Sequence, residues 1–149
     1  MDAIDRKILQ ALQANARASL QDIGQQVGLS ASPCWERVRK LEQAGVIEGF
    51  TVRLNAQALG WNDTVLVQLT LDSHTDNTLE KFGEVLATIP EVVEAYLVSG
   101  EYDYLLRVAV KDTRDYERLL REKLYKIKGI RHSKSSFVLR TLKRADLPL

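Results

Sequence analysis

The 149-residue chain has one cysteine, three prolines and a formal net charge of only +1. A lone cysteine excludes an internal disulfide, and Cys34 is expected to be a small buried hydrophobe rather than a thiol switch. The near-neutral balance excludes a global field that would draw the chain onto a polyanion, so any basic site has to be local. No apolar run approaches the ~20 residues of a membrane helix, and the opening MDAIDRKI lacks the features of a secretory signal. A cytoplasmic protein without a membrane partner is therefore expected. His74 and His132 have no cysteine or carboxylate at ligand spacing, so no metal site is expected. Nucleophile and base pairings and phosphate-cradling glycine loops are also lacking, which argues against an enzyme and leaves no catalytic residue to name.

What the chain does have is concentrated between Leu20 and Arg39, LQDIGQQVGLSASPCWERVR. Ser19 is placed to cap a helix, with Asp22 three residues on to close a capping box. Leu20, Ile23 and Val27 form one apolar stripe, and Gly28 supplies the left-handed residue that ends the helix. Leu29 plugs the turn. Ser30 is the expected cap of a second helix, and Pro33 falls in its first turn, where a missing N–H costs nothing. Val38 and Leu41 turn inward, leaving Ser30, Ser32, Arg37 and Lys40, flanked by Arg39, to meet phosphates and base edges. The amides of the helix start can also hold a phosphate. A preceding amphipathic helix carries Ile4, Ile8, Leu9 and Leu12 on one side, completing a tri-helical unit. The run GVIEGFTVRLN then reads as a glycine turn and a β-rich wing, with Arg53 able to touch the DNA backbone. Double-stranded DNA is the expected partner. A second basic cluster, Lys123, Lys126, Lys128, Arg131 and Lys134, reads as a solvated edge without function.

From Thr64 the spacing changes to strand, helix, strand, repeated twice. TVLVQLTL places Val65, Val67, Leu69 and Leu71 on one face, and Leu79, Phe82, Leu86 and Ile89 form a helical stripe that Pro90 terminates. VVEAYLV and YLLRVAV follow as strands. Tyr116, Leu119, Leu120, Leu124 and Ile127 form a second helix ending at Gly129, and SSFVLRTL is the fourth strand. The βαββαβ order is the ferredoxin-like arrangement, with both helices on one face of an antiparallel sheet. Leu66, Leu105, Ala109 and Val138 would make the opposite face apolar, which calls for a two-fold partner. A homodimer would present two reading helices separated by about one DNA turn, roughly 34 Å, or a multiple of it. The fold class is thus α+β, with a winged helix-turn-helix over residues 1–60 and a ferredoxin-like domain over 61–149.

SASPCWERVRKLEQAGVI with GFTVRLN, and VSGEYDYLLRV some fifty residues later, resemble the Lrp/AsnC family of transcription regulators across nearly the whole chain. The resemblance implies a DNA-binding segment, here Ser30, Ser32, Pro33, Arg37, Arg39 and Lys40, joined to an ACT-like (RAM) domain that binds an amino-acid effector and dimerises through its sheets, with dimers joining into octamers. It places the effector at Gly100, Glu101, Tyr102, Asp103 and Tyr104, with Ser133 and Ser135 approaching from another subunit. An amino acid needs N–H donors for its carboxylate and an anion for its ammonium, and Asp103 is the candidate anion. No cofactor other than that effector is implied. Trp35 stands where relatives often carry a smaller apolar residue and is expected to pack between helices, the alternative being that it helps shape the recognition surface. An architectural protein that bends DNA would share this fold, and an amino-acid effect on DNA affinity or assembly size separates the two readings.

Overall fold

The computed structural model of the chain describes every residue except 74 and 75, and every side chain except those of residues 74–78, so His74 lies outside the described residues. Two compact units result, Met1–Arg53 with Lys143–Leu149, and Leu54–Leu142.

The first unit holds three helices, α1 (Ala3–Ala14), α2 (Leu20–Val27) and α3 (Ala31–Gln43). Their apolar stripes meet in one cluster around Ile8, Ile23, Cys34 and Val38, with Ile4, Leu12 and Leu29 packed at its margin. Burial pushes the Cys34 thiol up and removes it from solvent, so the alternative of a thiol switch falls away. α1 opens on a reciprocal capping box that the sequence reading did not anticipate. The Asp5 N–H donates to Asp2 Oδ1 and the Asp2 N–H to Asp5 Oδ2, each at 2.8 Å.

At α2 the Asp22 N–H donates to Ser19 Oγ at 3.1 Å, as expected. The Asp22 carboxylate, however, accepts the Ser19 hydroxyl at 2.6 Å instead of closing the box on the backbone N–H. Gly28 ends α2 at φ 77°, in the left-handed region where a Cβ is penalised. Four residues earlier lies a tighter constraint. A Cβ on Gly24 would stand 2.7 Å from the Leu29 carbonyl oxygen, because α2 and the turn that follows it are in backbone contact.

After α3 the expected β-rich wing is absent as strands: none forms among the described residues between Gln43 and Asp63. Phe50, Val52 and Leu54 keep the alternation of a strand but are all exposed, and no strand among the described residues pairs with them. Arg53 pairs with Asp146 at 3.0 Å. The same C-terminal segment accepts bonds on α1, from Gln10 Nε2 to the Leu149 carbonyl at 3.3 Å and from Gln13 Nε2 to the Leu147 carbonyl at 3.2 Å.

The second unit runs β1 (Asp63–Leu71), α4 (Asp76–Ala87), β2 (Val92–Leu97), β3 (Tyr104–Val110), α5 (Thr113–Glu122) and β4 (Ile130–Phe137). The sheet order is β2-β3-β1-β4 with every pair antiparallel, which is the ferredoxin-like topology. Val65, Val67, Leu69 and Leu71 alternate into the core with Tyr104, Leu106, Val108 and Val110, beneath Phe82, Leu86, Tyr116 and Leu119 of the helices.

Three expectations are corrected here. β4 begins five residues before Ser135, since its first half is an edge strand whose exposed Arg131, His132 and Lys134 hide the apolar alternation. It stops at Phe137 because β1 begins at Asp63 and offers no further partner after the Val138 N–H bonds the Thr64 carbonyl. α5 stops at Glu122, and a 3-10 turn at Leu124–Lys126 brings Leu124 into the core. The face away from the helices is mixed rather than apolar. Leu66, Leu105 and Ala109 do lie there by register, but beside an Arg107–Glu94 pair with bonds of 2.8 and 2.6 Å, to which the Tyr96 hydroxyl adds a bond of 3.0 Å.

Candidate functional site

The exposed surface of α3 follows from which residues its core takes. With Cys34, Val38 and Leu41 buried, helical spacing turns Ser32, Trp35, Glu36, Arg39 and Lys40 outward, and all five are exposed. Ser30 sits at the N-cap position, but its hydroxyl makes no capping bond, so the expectation that it caps the helix through its side chain is not met. Its hydroxyl therefore stands at the helix start beside amides that point outward. Pro33 is exposed in that first turn.

Arg37 stands apart from the other cations. It lies on the flank of α3 with its side chain 31% exposed, and Nη1 donates to Asp2 Oδ2 and to Asp5 Oδ1, both at 2.7 Å. The two carboxylates of the α1 capping box are thereby tied to α3. The Asp5 N–H, followed by the guanidinium, holds the Asp2 carboxyl below its ordinary value of 3.8, and the same bonds raise Arg37 further.

Trp35 does not pack between helices. It is 47% exposed, and the Arg39 guanidinium lies over its ring at 5.4 Å from the centroid, one helical turn away. Sequence reasoning missed this pair, although aromatic and cation at i and i+4 carry the signal.

The second candidate region is the hairpin tip between β2 and β3. Gly100 has φ 131°, a conformation that side chains rarely adopt. The Val98 N–H donates to the Asp103 carbonyl, and the Asp103 N–H to the Leu69 carbonyl, each at 2.9 Å. Asp103 Oδ2 accepts the Leu71 N–H at 2.7 Å, latching the tip to the end of β1. Glu101 is exposed and Tyr102 half-buried. Tyr104 turns into the core, where its hydroxyl donates to the Leu79 carbonyl at 2.6 Å and its ring meets Phe82.

Ser133 and Ser135 are not brought to this tip within one chain. They pair with Leu69 and Val67, so β1 stands between them and β3, and the Ser135 hydroxyl shares a hydrogen bond with the Tyr116 hydroxyl. Burial pushes the Tyr116 phenol up and that bond draws it partly back. Of the late basic cluster, Lys123 is paired, its Nζ reaching both Glu91 oxygens at 2.6 and 2.7 Å. A groove of about 510 Å³ also escaped sequence reasoning. It opens between Leu79, Gly83 and Ala87 on α4 and Ala95 and Leu97 on β2, and Tyr104 links it to the tip. Gly83 and Ala87, small residues one turn apart, are its signal.

Residues 1–42 match the model of the AsnC-type helix-turn-helix domain, and residues 64–148 that of the Lrp/AsnC ligand binding domain. The chain is 38% identical over 146 residues to the leucine-responsive regulatory protein of Escherichia coli strain K12, covering 98% of this chain and 89% of that protein. Its fold is similar to that of an AsnC family transcriptional regulator from Agrobacterium tumefaciens, with 40% identity, a TM-score of 0.94 and coverage of 99% and 97% of the two chains. A transcriptional regulator from Neisseria meningitidis, solved as a complex with L-Met, gives 30% identity, a TM-score of 0.93 and coverage of 99% and 96%.

Proposed function

The chain belongs to the Lrp/AsnC family of DNA-binding transcriptional regulators, and from that premise we propose that it is a cytoplasmic, nucleoid-associated homodimer that can build octamers, with an amino acid as its effector. The DNA reader lies within residues 1–60 and the effector and assembly domain within 61–149, with Lys143–Leu149 returning to the reader's unit. The exposed stripe of α3 carries the reading: hydroxyls and cations face outward from a helix whose other side is core. Ser30, Ser32 and Pro33 meet the phosphate backbone at the helix start, and Arg39 and Lys40 follow along the groove. Arg37 contributes by fixing α3 against Asp2 and Asp5.

At the β2–β3 tip, the amides of Gly100, Glu101 and Tyr102 take the carboxylate of the amino acid and the charge of Asp103 attracts its ammonium. Tyr104 holds the tip to α4 through Leu79. Ser133 and Ser135 approach from another subunit, a reading their separation from the tip within one chain supports. The adjoining groove is lined mainly by apolar side chains and suits an aliphatic or thioether side chain. The L-Met complex of the Neisseria meningitidis relative supports that class.

The test is binding of the full chain to its own promoter fragment, with each common amino acid added in turn. Affinity that falls steeply with salt, and an apolar amino acid that shifts affinity or assembly size, are expected. No amino acid shifting either would sink the effector reading.

A further inference from the structure

Trp35 is half-exposed on α3, and the guanidinium stacked over it has no other partner among the described residues. Arg37, two positions away, is by contrast committed to two carboxylates. Of the two arginines, only Arg39 therefore presents a fork of N–H donors outward. A flexible arginine loses side-chain freedom when it binds a base. One already held over an indole loses less, because the cation–π contact restricts where its donors can point.

We propose that Trp35 and Arg39 work as one base-reading unit, resting on the DNA-binding reading above. Arg39 donates in bidentate fashion to O6 and N7 of a guanine in the major groove, restrained by the indole. The exposed rim of Trp35 packs on the C5-methyl of the thymine next to it. The chain then selects a TG step, read as CA on the other strand, within each half-site. Ser32, one turn before Trp35 on the same stripe, fixes the helix on the backbone and carries no base preference.

The test is selection of binding sites from a random duplex library by the unaltered chain and by the Arg39→Lys, Arg39→Ala and Trp35→Ala variants, with helicity checked by circular dichroism. Arg39→Lys keeps the charge but loses the fork, so it should retain the salt dependence while discrimination at the guanine drops about 5- to 150-fold, the range of one bidentate pair. Arg39→Ala should lose the guanine preference and also flatten the salt dependence. Trp35→Ala should blur both bases of the step. If Arg39→Lys keeps full guanine preference, or Trp35→Ala leaves the selected step unchanged, the inference is overturned with the regulator reading intact. Enrichment of no motif by the unaltered chain would remove both.

Discussion

Arg37 and Arg39 are separated by a single residue on α3 and meet different surroundings, one between two carboxylates and the other on an aromatic ring. Replacing Arg37 with alanine leaves Asp2 and Asp5 facing each other without their cation, so the melting temperature of the first unit should fall by a few degrees in a thermal unfolding scan. The pH dependence has a definite sign. Asp2 is held below its ordinary value of 3.8 in the folded chain, so its contribution is complete above that pH and fades as the pH drops through the lowered value. Asp2→Asn should therefore cost melting temperature at pH 6 and progressively less below pH 4, where the parent has lost the same contribution. The outward stripe of α3 was legible only in part, because Val38 and Leu41 fix the inward side by spacing, while Arg39 rather than Arg37 faces outward and Trp35 joins it instead of packing between helices. Arg37's partners were not legible, since Asp2 lies 35 residues away and only the crossing of α1 on α3 brings them together.

The α2–turn–α3 element depends on Gly24 as much as on Gly28. Alanine is ordinarily the better helix former by about 1 kcal/mol. Here its Cβ would press on the Leu29 carbonyl, which is backbone and cannot swing aside. Gly24→Ala should thus destabilise the first unit by a net ~1–2 kcal/mol in urea unfolding, the overpacking penalty exceeding the propensity gain, and should weaken DNA binding by tilting α3. In the sheet unit Leu106 is fully buried on a central strand, and Leu106→Ala should cost about 2–5 kcal/mol by the same measurement. Central strands β1 and β3 were readable from the sequence, since their inward positions are apolar without a break. Edge strand β4 was readable only in its second half, because IRHSK spends its side chains on solvent. The segment with Phe50 and Val52 carried a strand pattern, yet pattern alone does not provide a neighbour to pair with.

At the scale of the molecule, a net charge of +1 leaves DNA attraction to one stripe of one helix, so the proposed assembly would set affinity by multiplying that stripe. The mixed sheet face bears on how copies would meet. Its Arg107–Glu94–Tyr96 network would impose a register on a facing sheet, which an all-apolar surface would not. The first unit is also discontinuous, drawing Lys143–Leu149 back to Gln10, Gln13 and Arg53. Deleting those seven residues should raise hydrogen exchange along α1 and lower the first unit's stability by about 1 kcal/mol, with amides of β1 and β3 unaffected. Synthesis on the ribosome is vectorial, so α1 emerges long before the segment that completes its surroundings. A nascent chain would therefore carry an unfinished operator reader until Lys143–Leu149 has emerged and settled on Gln10, Gln13 and Arg53.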